Sequence, residues 1–317
     1  MNDETLSEAP PTRPHRREQR RSTRTEVNGW INLDKPVGVT STQAVAHVKH
    51  LYNAKKAGHA GTLDPLASGV LPIALGEATK TVSVVQDGTK AYRFTVEWGE
   101  ETNTDDAEGQ VVARSDLRPS HDEILAITPR FIGAIQQTPP TFSAIKIGGE
   151  RAYDLARGGA EFEIAAREIL VHRLDLVSTT ADEAVFEAEC GKGAYVRAIA
   201  RDMGRALGCH GHVVLLRRTR VGPFWAERGF GLETLRESPE ARATALLSIE
   251  AGLSELTRVP TDRSGAAILR RGQKLLLRGS TAPPEGPAYA VCLGTPISVG
   301  VVEGGYFVST RVFNLPN

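Results

Sequence analysis

The alternation of apolar and polar residues along the chain predicts strands and helices in an irregular order. Residues 92–98 alternate strictly, which predicts a strand with one buried face. Residues 195–207 carry apolar positions at i, i+3, i+4, i+7 and i+11, the stripe of an amphipathic helix. Further strand-like runs cover residues 30–33, 169–177, 184–190 and 213–220.

Local signals mark where helices begin and where loops interrupt the pattern. Two capping boxes, Thr40 with Gln43 and Ser120 with Glu123, each predict the start of a helix. Residues 58–69 are rich in glycine and contain Pro65, which predicts a loop. An acidic loop is expected over residues 100–108.

The order of the elements predicts the class of fold and three regions. Strands and helices mix without regular βαβ alternation, which favours an α+β core over a doubly wound sheet. Residues 1–26 are rich in Arg and poor in apolar residues, which predicts a disordered basic arm that is solvated or contacts a polyanion. The core is expected over residues 27–250, with a helical linker near its end. Residues 251–317 are expected to form a small β domain with a short helix over residues 266–271.

Composition narrows the class of protein. The 317 residues are 40% apolar and 24% charged, which is ordinary globular usage. No run of about 20 apolar residues occurs, so no membrane span is expected. No secretory signal is visible either. The three cysteines are an odd number and lie far apart, which argues against a disulfide framework and fits the reducing cytoplasm.

The charge is balanced in total but uneven along the chain. Lys plus Arg and Asp plus Glu are both 38, so the net charge gives no hint of a nucleic-acid partner. Arg197, Arg201 and Arg205 are spaced by four residues, so they share one helix face and repel each other. A bound phosphate backbone would relieve the repulsion. Carboxylates from distant segments would do the same. The residues expected to contact an RNA backbone are Arg201, Arg205, Arg217, Arg218, Arg270 and Arg271.

Elimination of common sites leaves one carboxylate. The chain has neither a P-loop nor a G-x-S-x-G elbow. Residues 209–212, Cys-His-Gly-His, have no second Cys/His pair at metal-finger spacing, so no metal site is expected. Asp64 remains, in the glycine-rich loop, where Pro65 favours an extended conformation that can project its side chain. On the residues alone, an Asp in a glycine-rich loop is more typical of a turn than of a catalytic site.

Residues 58–72, Gly-His-Ala-Gly-Thr-Leu-Asp-Pro-Leu-Ala-Ser-Gly-Val-Leu-Pro, resemble the signature loop of the TruB family of pseudouridine synthases. Ala60 stands where the family commonly has Thr. The resemblance covers about residues 28 to 235, and residues 269–273 are more weakly similar to a PUA domain, an RNA-binding β pseudo-barrel. The other motifs that carry the resemblance lie at residues 33–36, 76–80, 90–93, 191–197 and 215–218.

The resemblance implies a fold, a reaction and a partner. The fold would be a mixed, largely antiparallel central sheet flanked by helices and loops, with a C-terminal β pseudo-barrel. The reaction would convert uridine to pseudouridine, usually uridine-55 in the T loop of tRNA. No atom is gained or lost in this isomerisation, so no cofactor and no metal is expected. The enzyme would act as a monomer on tRNA, without a guide RNA.

The resemblance also assigns roles to residues. Asp64 would be the nucleophile, attacking either uracil C6 or ribose C1′, or acting through a glycal. Arg197 would form an ion pair that keeps Asp64 charged against the desolvation of a closed site. Tyr92 would stack on the uracil and could move a proton.

Four further residues would serve the flipped-out uridine and the loop that carries the nucleophile. Tyr195 and Leu216 match pocket residues that hold the base. His59 matches a contact to the T loop, and Lys35 would support the catalytic loop. A base inside a folded T loop must be flipped out before reaction, and stacking side chains offset part of that cost.

Three other functions stay open at this stage. A guide-RNA-dependent synthase shares the chemistry, although the short C-terminal domain without a long Lys-rich tail speaks against it. A catalytically idle RNA-binding or RNA-folding protein is disfavoured by the intact set of Asp64, Tyr92 and Arg197. A nucleoside hydrolase would release free uracil and would leave the basic segments unexplained.

Overall fold

The computed structural model describes residues 24–143, 145–147, 150–152, 162–277 and 283–315. The arm expected over residues 1–26 therefore lies almost wholly outside the described residues. The described α-helices are α1 (Ser41–Leu51), α2 (Val82–Asp87), α3 (His121–Ile127), α4 (Val196–Leu207), α5 (Leu232–Glu237), α6 (Pro239–Ala245) and α7 (Arg263–Arg270). The described strands are β1 (Gly29–Lys35), β2 (Ala57–His59), β3 (Ser68–Leu75), β4 (Lys90–Trp98), β5 (Glu100–Thr102), β6 (Val111–Arg114), β7 (Gly133–Gln137), β8 (Lys146–Ile147), β9 (Glu150–Arg151), β10 (Arg167–Thr179), β11 (Glu183–Cys190), β12 (Gly211–Val221), β13 (Phe224–Trp225), β14 (Phe230–Gly231), β15 (Leu246–Leu247), β16 (Thr257–Thr261), β17 (Leu275–Leu276), β18 (Gly286–Cys292), β19 (Thr295–Glu303) and β20 (Tyr306–Val312).

An 11-stranded mixed sheet forms the main body of the protein. Its central path runs in the order β14-β1-β3-β12-β4-β11-β10-β7, with β2, β13 and β15 attached along it. Among the strand pairs described for this sheet, β1–β14 and β3–β12 are parallel and the others are antiparallel. The expected α+β fold with a mixed, largely antiparallel central sheet is confirmed.

The middle of the sheet is covered on both faces. In β3 every residue after Ser68 is buried. Both faces of β4 are buried over much of its length, although its alternating sequence predicts one solvent-exposed face. One reason is α4, which packs against β4 and β12. Local periodicity cannot report this second layer, because the layer comes from distant parts of the chain.

Both predicted capping boxes are present. The Thr40 hydroxyl accepts from the Gln43 N–H at 3.1 Å, and the Gln43 side chain accepts from the Thr40 N–H at 2.9 Å. Ser120 and Glu123 make the same pair of bonds before α3. The prediction of a loop over residues 58–69 is confirmed only for the middle of this range. The chain is in β2 up to His59 and enters β3 at Ser68, so both ends of the range belong to the sheet.

The C-terminal residues form a second, curled sheet of five strands in the order β16-β18-β19-β20-β17. The helix expected over residues 266–271 is present as α7, three residues earlier at its start. An apolar cluster that includes Trp30 and Phe224 from the main body and Tyr289 and Phe313 from the C-terminal part joins the two. The C-terminal part is therefore docked through a shared core.

Two expectations from composition can be compared with the structure. Cys190, Cys209 and Cys292 are each buried and free in the structure. Among the described helices, none has the length and apolar content needed to span a bilayer.

Gly69 is a position where the fold requires glycine. Its φ is +104°, and a Cβ there would lie 2.2 Å from the backbone oxygen of Arg218 on β12. Since that oxygen belongs to a buried strand and cannot easily move, we expect Gly69→Ala to lower the free energy of unfolding by at least about 2 kcal/mol. Gly38→Ala is the control, because Gly38 has φ +83° but no heavy atom near its Cβ position. Urea unfolding measures the free energy of unfolding of both variants. Equal losses would show that the close approach of the Cβ to the Arg218 oxygen costs no stability.

Candidate active site

Asp64 lies in the connection between β2 and β3, at the mouth of a cavity. The Asp64 carbonyl accepts from the Ala67 N–H at 3.1 Å, which closes a tight turn around Pro65. Its side chain is 35% exposed, in contrast to its buried partners. The cavity has a volume of about 410 Å³ and is lined by Asp64, Pro65, Asn103, Thr104, Asp106, Glu108, Gly109, Gln110, Phe142 and Arg197.

Arg197, in the first turn of α4, aims its guanidinium at this carboxylate. Nη2 lies 3.0 Å from Asp64 Oδ2, and Nη1 lies 3.0 Å from Asp106 Oδ2. The same two nitrogens donate to the backbone oxygens of Thr104 (2.7 Å) and Phe142 (3.0 Å). With its side chain only 5% exposed, Arg197 is held by four acceptors and has little freedom to turn. The expected ion pair with Asp64 is present.

Asp106 is a member of the site that our sequence reasoning missed. It is buried, and its Oδ1 accepts from the Thr104 hydroxyl at 2.6 Å and from the Glu108 N–H at 3.1 Å. Its other oxygen is bound to Arg197. In the sequence it belongs to an acidic run that we interpreted as a loop, and nothing in that run separates it from its neighbours.

Arg218 holds the loop that carries Asp64. Its buried guanidinium donates from Nε to Val70 O at 2.8 Å, from Nη1 to Thr62 O at 3.2 Å and from Nη2 to Gly61 O at 3.0 Å. These acceptors flank Asp64 on both sides along the chain. Arg218 therefore fixes the shape of the loop that carries Asp64.

Lys35 and Ser41 hold the same loop from another side. The buried Lys35 Nζ donates to Val39 O at 2.7 Å and to Pro36 O at 2.9 Å, and it lies 3.5 Å from Pro65 O. Burial lowers the pKa of Lys35 to about 8, and the nearby Asp64 carboxylate opposes this shift. The Ser41 hydroxyl bonds both the N–H and the carbonyl of Leu63.

Tyr92 lies on β4 directly opposite Arg218 of the neighbouring strand β12. Burial raises the pKa of the Tyr92 phenol, and the Arg218 cation opposes this effect. The phenol is therefore protonated at neutral pH. Asp64 also acts electrostatically on Tyr92, so the two side chains belong to one neighbourhood.

The other residues assigned by resemblance occupy different surroundings. Tyr195 precedes α4, its N–H donates to Gln137 Oε1 at 2.9 Å, and the Arg167 guanidinium lies over its ring at 5.4 Å. Leu216 is 7% exposed and belongs to the main apolar cluster. His59 is half-buried at the end of β2.

The interpretation of the basic helix face needs correction. Arg201 and Arg218 are buried and bonded to protein groups, so neither can be a surface contact for a phosphate backbone. Carboxylates from a distant segment, and not a nucleic acid, relieve the repulsion on α4. Arg205 and Arg217 are partly exposed but paired with Glu101 and Asp34, respectively. By contrast, Arg270 and Arg271 at the end of α7 are exposed.

The Cys-His-Gly-His segment is used for packing and hydrogen bonding. His210 Nδ1 lies 3.4 Å from Glu101 Oε2, and His212 Nδ1 lies 3.1 Å from Glu100 O. Within the described ranges, no group of three or more His, Cys, Asp or Glu side chains is placed to hold a metal ion.

Family models match most of the region that builds this site. Residues 49–196 match the TruB family pseudouridylate synthase N-terminal domain, and residues 197–260 match the tRNA pseudouridylate synthase B C-terminal domain. The chain belongs to the TruB family. Within the TruB chain, the first match contains Asp64 and Tyr92, and the second begins at Arg197.

Similar proteins and structures agree with the TruB assignment. A protein of Bradyrhizobium diazoefficiens named tRNA pseudouridine synthase B is 55% identical over 94% of this chain and 89% of its own length. One of the same name from Nitrobacter winogradskyi is 52% identical over 99% of this chain and 90% of its own. A chain in the crystal structure of a Cbf5–Nop10–Gar1 complex superposes with a TM-score of 0.70 at 27% identity, covering 90% of this chain and 83% of that one.

Proposed function

We propose that this TruB protein isomerises uridine-55 in the T loop of tRNA to pseudouridine, with Asp64 as nucleophile. The observation that carries the proposal is the placement of Asp64 at the mouth of a cavity, bound by an arginine that a second carboxylate holds. An ion pair keeps a carboxylate charged and aimed when a base closes over it. The cavity, about 410 Å³, falls within the range of about 300–1,000 Å³ usual for ligand pockets.

The reaction needs one nucleophile and one place for a proton. An Asp64 oxygen bonds to the nucleotide, at C1′ or at C6, as a carboxylate does in covalent catalysis. The C1′–N1 bond breaks, the uracil turns, and C5 bonds to C1′. The bond between the Asp64 oxygen and the nucleotide is then broken, which restores the carboxylate. The proton on C5 then leaves and N1 gains one, so the product is an isomer of the substrate. The neutral Tyr92 phenol can stack on the uracil and relay a proton, while Tyr195 and Leu216 hold the base.

The substrate must present the uridine outside its stack. Flipping costs a few kcal/mol, which contacts to the base and to the RNA backbone offset. For the backbone we propose the exposed Arg270 and Arg271 on α7, together with the half-exposed edges of Arg205 and Arg217. His59 would contact the T loop. We further propose that the protein acts in the cytoplasm, as a monomer and without guide RNA, cofactor or metal.

A substrate comparison tests this function. The purified protein is incubated with a tRNA transcript, without any other RNA and with a chelator present, and pseudouridine is then mapped by nucleoside analysis. We expect one pseudouridine, at position 55. A transcript with cytidine at position 55 is the control and should yield none.

Other outcomes identify the alternatives. Modification that needs an added RNA would indicate a guide-dependent synthase. Free uracil would indicate a hydrolase. Tight binding with no change in any nucleoside would indicate an RNA-binding protein that retains the site without using it.

A further inference from the structure

The arginines of α4 form a ladder with one segment of the chain. Arg197 binds Asp106, Arg201 binds Asp105 and Arg205 binds Glu101, at 3.0, 2.9 and 2.6 Å. We call these three pairs the arginine ladder. All three acids come from residues 101–106, so the ladder fixes that segment along the helix. Only the Arg197 pair touches the nucleophile.

The middle pair, Arg201–Asp105, is the buried link that the reaction does not use directly. The two side chains are 8% and 7% exposed. Each nitrogen of the Arg201 guanidinium is bound: Nη1 to Asp105 Oδ2, Nε to Asp202 Oδ1 at 2.8 Å, and Nη2 to Thr138 O at 2.7 Å. The Arg201 side chain therefore has one available orientation. In that orientation it holds the Asp105 carboxylate in place.

The backbone conformation of Asp105 affects where the next residue, Asp106, is placed. Asp105 has φ +60°, in the left-handed region that non-glycine residues seldom adopt. Its carbonyl accepts from the Val213 N–H at 3.1 Å, and the Ala107 N–H donates to Val213 O at 3.0 Å. Asp106 lies between these two bonds. A change in the Asp105 backbone therefore moves the carboxylate that holds Arg197.

We propose that Asp105 and Arg201 are positioning residues for the isomerisation: their pair holds residues 101–106 against α4 and so sets the place of Asp106, Arg197 and the Asp64 carboxylate. They act through other residues and touch no substrate. The inference rests on the proposed function, since it concerns the rate of that reaction.

The raised pKa of Asp105 agrees with a role of the Arg201–Asp105 pair other than stabilising the fold. Burial raises the pKa of Asp105 from 3.8 to about 6, although Arg201, Arg197 and Arg205 lower it; Glu101 adds to the rise. A raised carboxyl pKa means that the native state binds the proton more tightly than the unfolded chain. The contribution of Asp105 to stability is thus largest at acidic pH and declines as the pH rises through about 6. The charged pair at neutral pH costs folding free energy while it orders the site.

The test compares Asp105→Asn with Asp202→Asn in single-turnover tritium release from tRNA labelled at uridine C5. Asp202 binds the same guanidinium but lies on α4 itself, so it does not tie the helix to residues 101–106. We expect Asp105→Asn to lower the rate constant about tenfold at about pH 8, a loss typical of small misplacements, with tRNA affinity unchanged. Asp202→Asn should retain the wild-type rate.

The pH profile separates positioning from a general loss of structure. Asn imitates the protonated carboxyl, so the rates of wild type and Asp105→Asn should converge as the pH falls to about 5, below the raised pKa of Asp105. Arg201→Lys keeps the positive charge but loses the planar guanidinium that binds several acceptors in a fixed geometry. Its rate should lie between those of wild type and Asp105→Asn.

The contrary results are equally definite. An unchanged rate in Asp105→Asn, or a constant ratio to wild type across the pH range, overturns the positioning role. If Asp105→Asn does not fold, as judged by urea unfolding, Arg201→Lys decides the question. A wild-type rate in Arg201→Lys then overturns the positioning role. Wild-type protein that releases no tritium overturns the proposed function, and this inference with it.

Discussion

Replacing Asp64 with Asn is expected to reduce the rate of isomerisation by at least about 10,000-fold, because the amide keeps the shape of the side chain but is not a nucleophile. The fold should be unaffected, since the Asp64 side chain is partly exposed and the loop is held by Arg218, Lys35 and Ser41 through backbone groups. Affinity for tRNA should change little. Single-turnover tritium release measures the rate, and filter binding measures the affinity.

The matched control for this substitution is Asp175→Asn. Asp175 also forms an ion pair with an arginine, Arg173 at 2.6 Å, but both side chains are about half exposed on β10 and neither lines the cavity. Its loss should leave the rate at the wild-type value, because exposed pairs contribute little. Asp64→Asn protein with more than a small fraction of wild-type activity would show that another group is the nucleophile.

Replacing Arg197 with Met should damage both activity and stability. The substitution leaves Asp106 buried without its cation, and breaking one side of a buried pair costs about 3–5 kcal/mol. Asp64 loses the group that aims it, so we expect the rate constant to fall about 100- to 1,000-fold. Urea unfolding and tritium release measure the two effects separately.

A double variant distinguishes the two roles of Arg197. In Arg197→Met with Asp106→Asn, no buried charge is left unpaired, and the Asn oxygen can still accept from the Thr104 hydroxyl and the Glu108 N–H. Much of the lost stability should return, while the rate stays low. Recovery of activity together with stability would mean that Arg197 serves the fold alone.

The sequence predicts those parts of the protein whose causes are local. The capping boxes at Thr40 and Ser120 and the strand at residues 92–98 depend on neighbours within a few positions. Asp64 is prominent because Gly and Pro surround it and because the whole loop matches a family signature. Arg197 could be paired with Asp64 only through that resemblance.

The sequence does not predict contacts made by residues far apart along the chain. From the sequence, Arg201 is expected to contact an RNA backbone, whereas in the fold its guanidinium binds Asp105, 96 positions earlier. Arg218 looks like a phosphate ligand, yet three backbone oxygens of another segment surround it. Whether an arginine contacts protein or RNA depends on where distant carboxylates and carbonyls are placed, which only the folded chain determines.

Isomerisation of uridine in the Asp64 cavity is tested most directly by counting the products of a single turnover. Wild-type protein in excess is mixed with a T-arm stem-loop carrying tritium at C5 of its target uridine, without guide RNA. Released tritium, pseudouridine and free uracil are measured in the same sample. We expect one tritium released for each pseudouridine formed and no uracil. Uracil release, or bound RNA that retains its tritium, would contradict it.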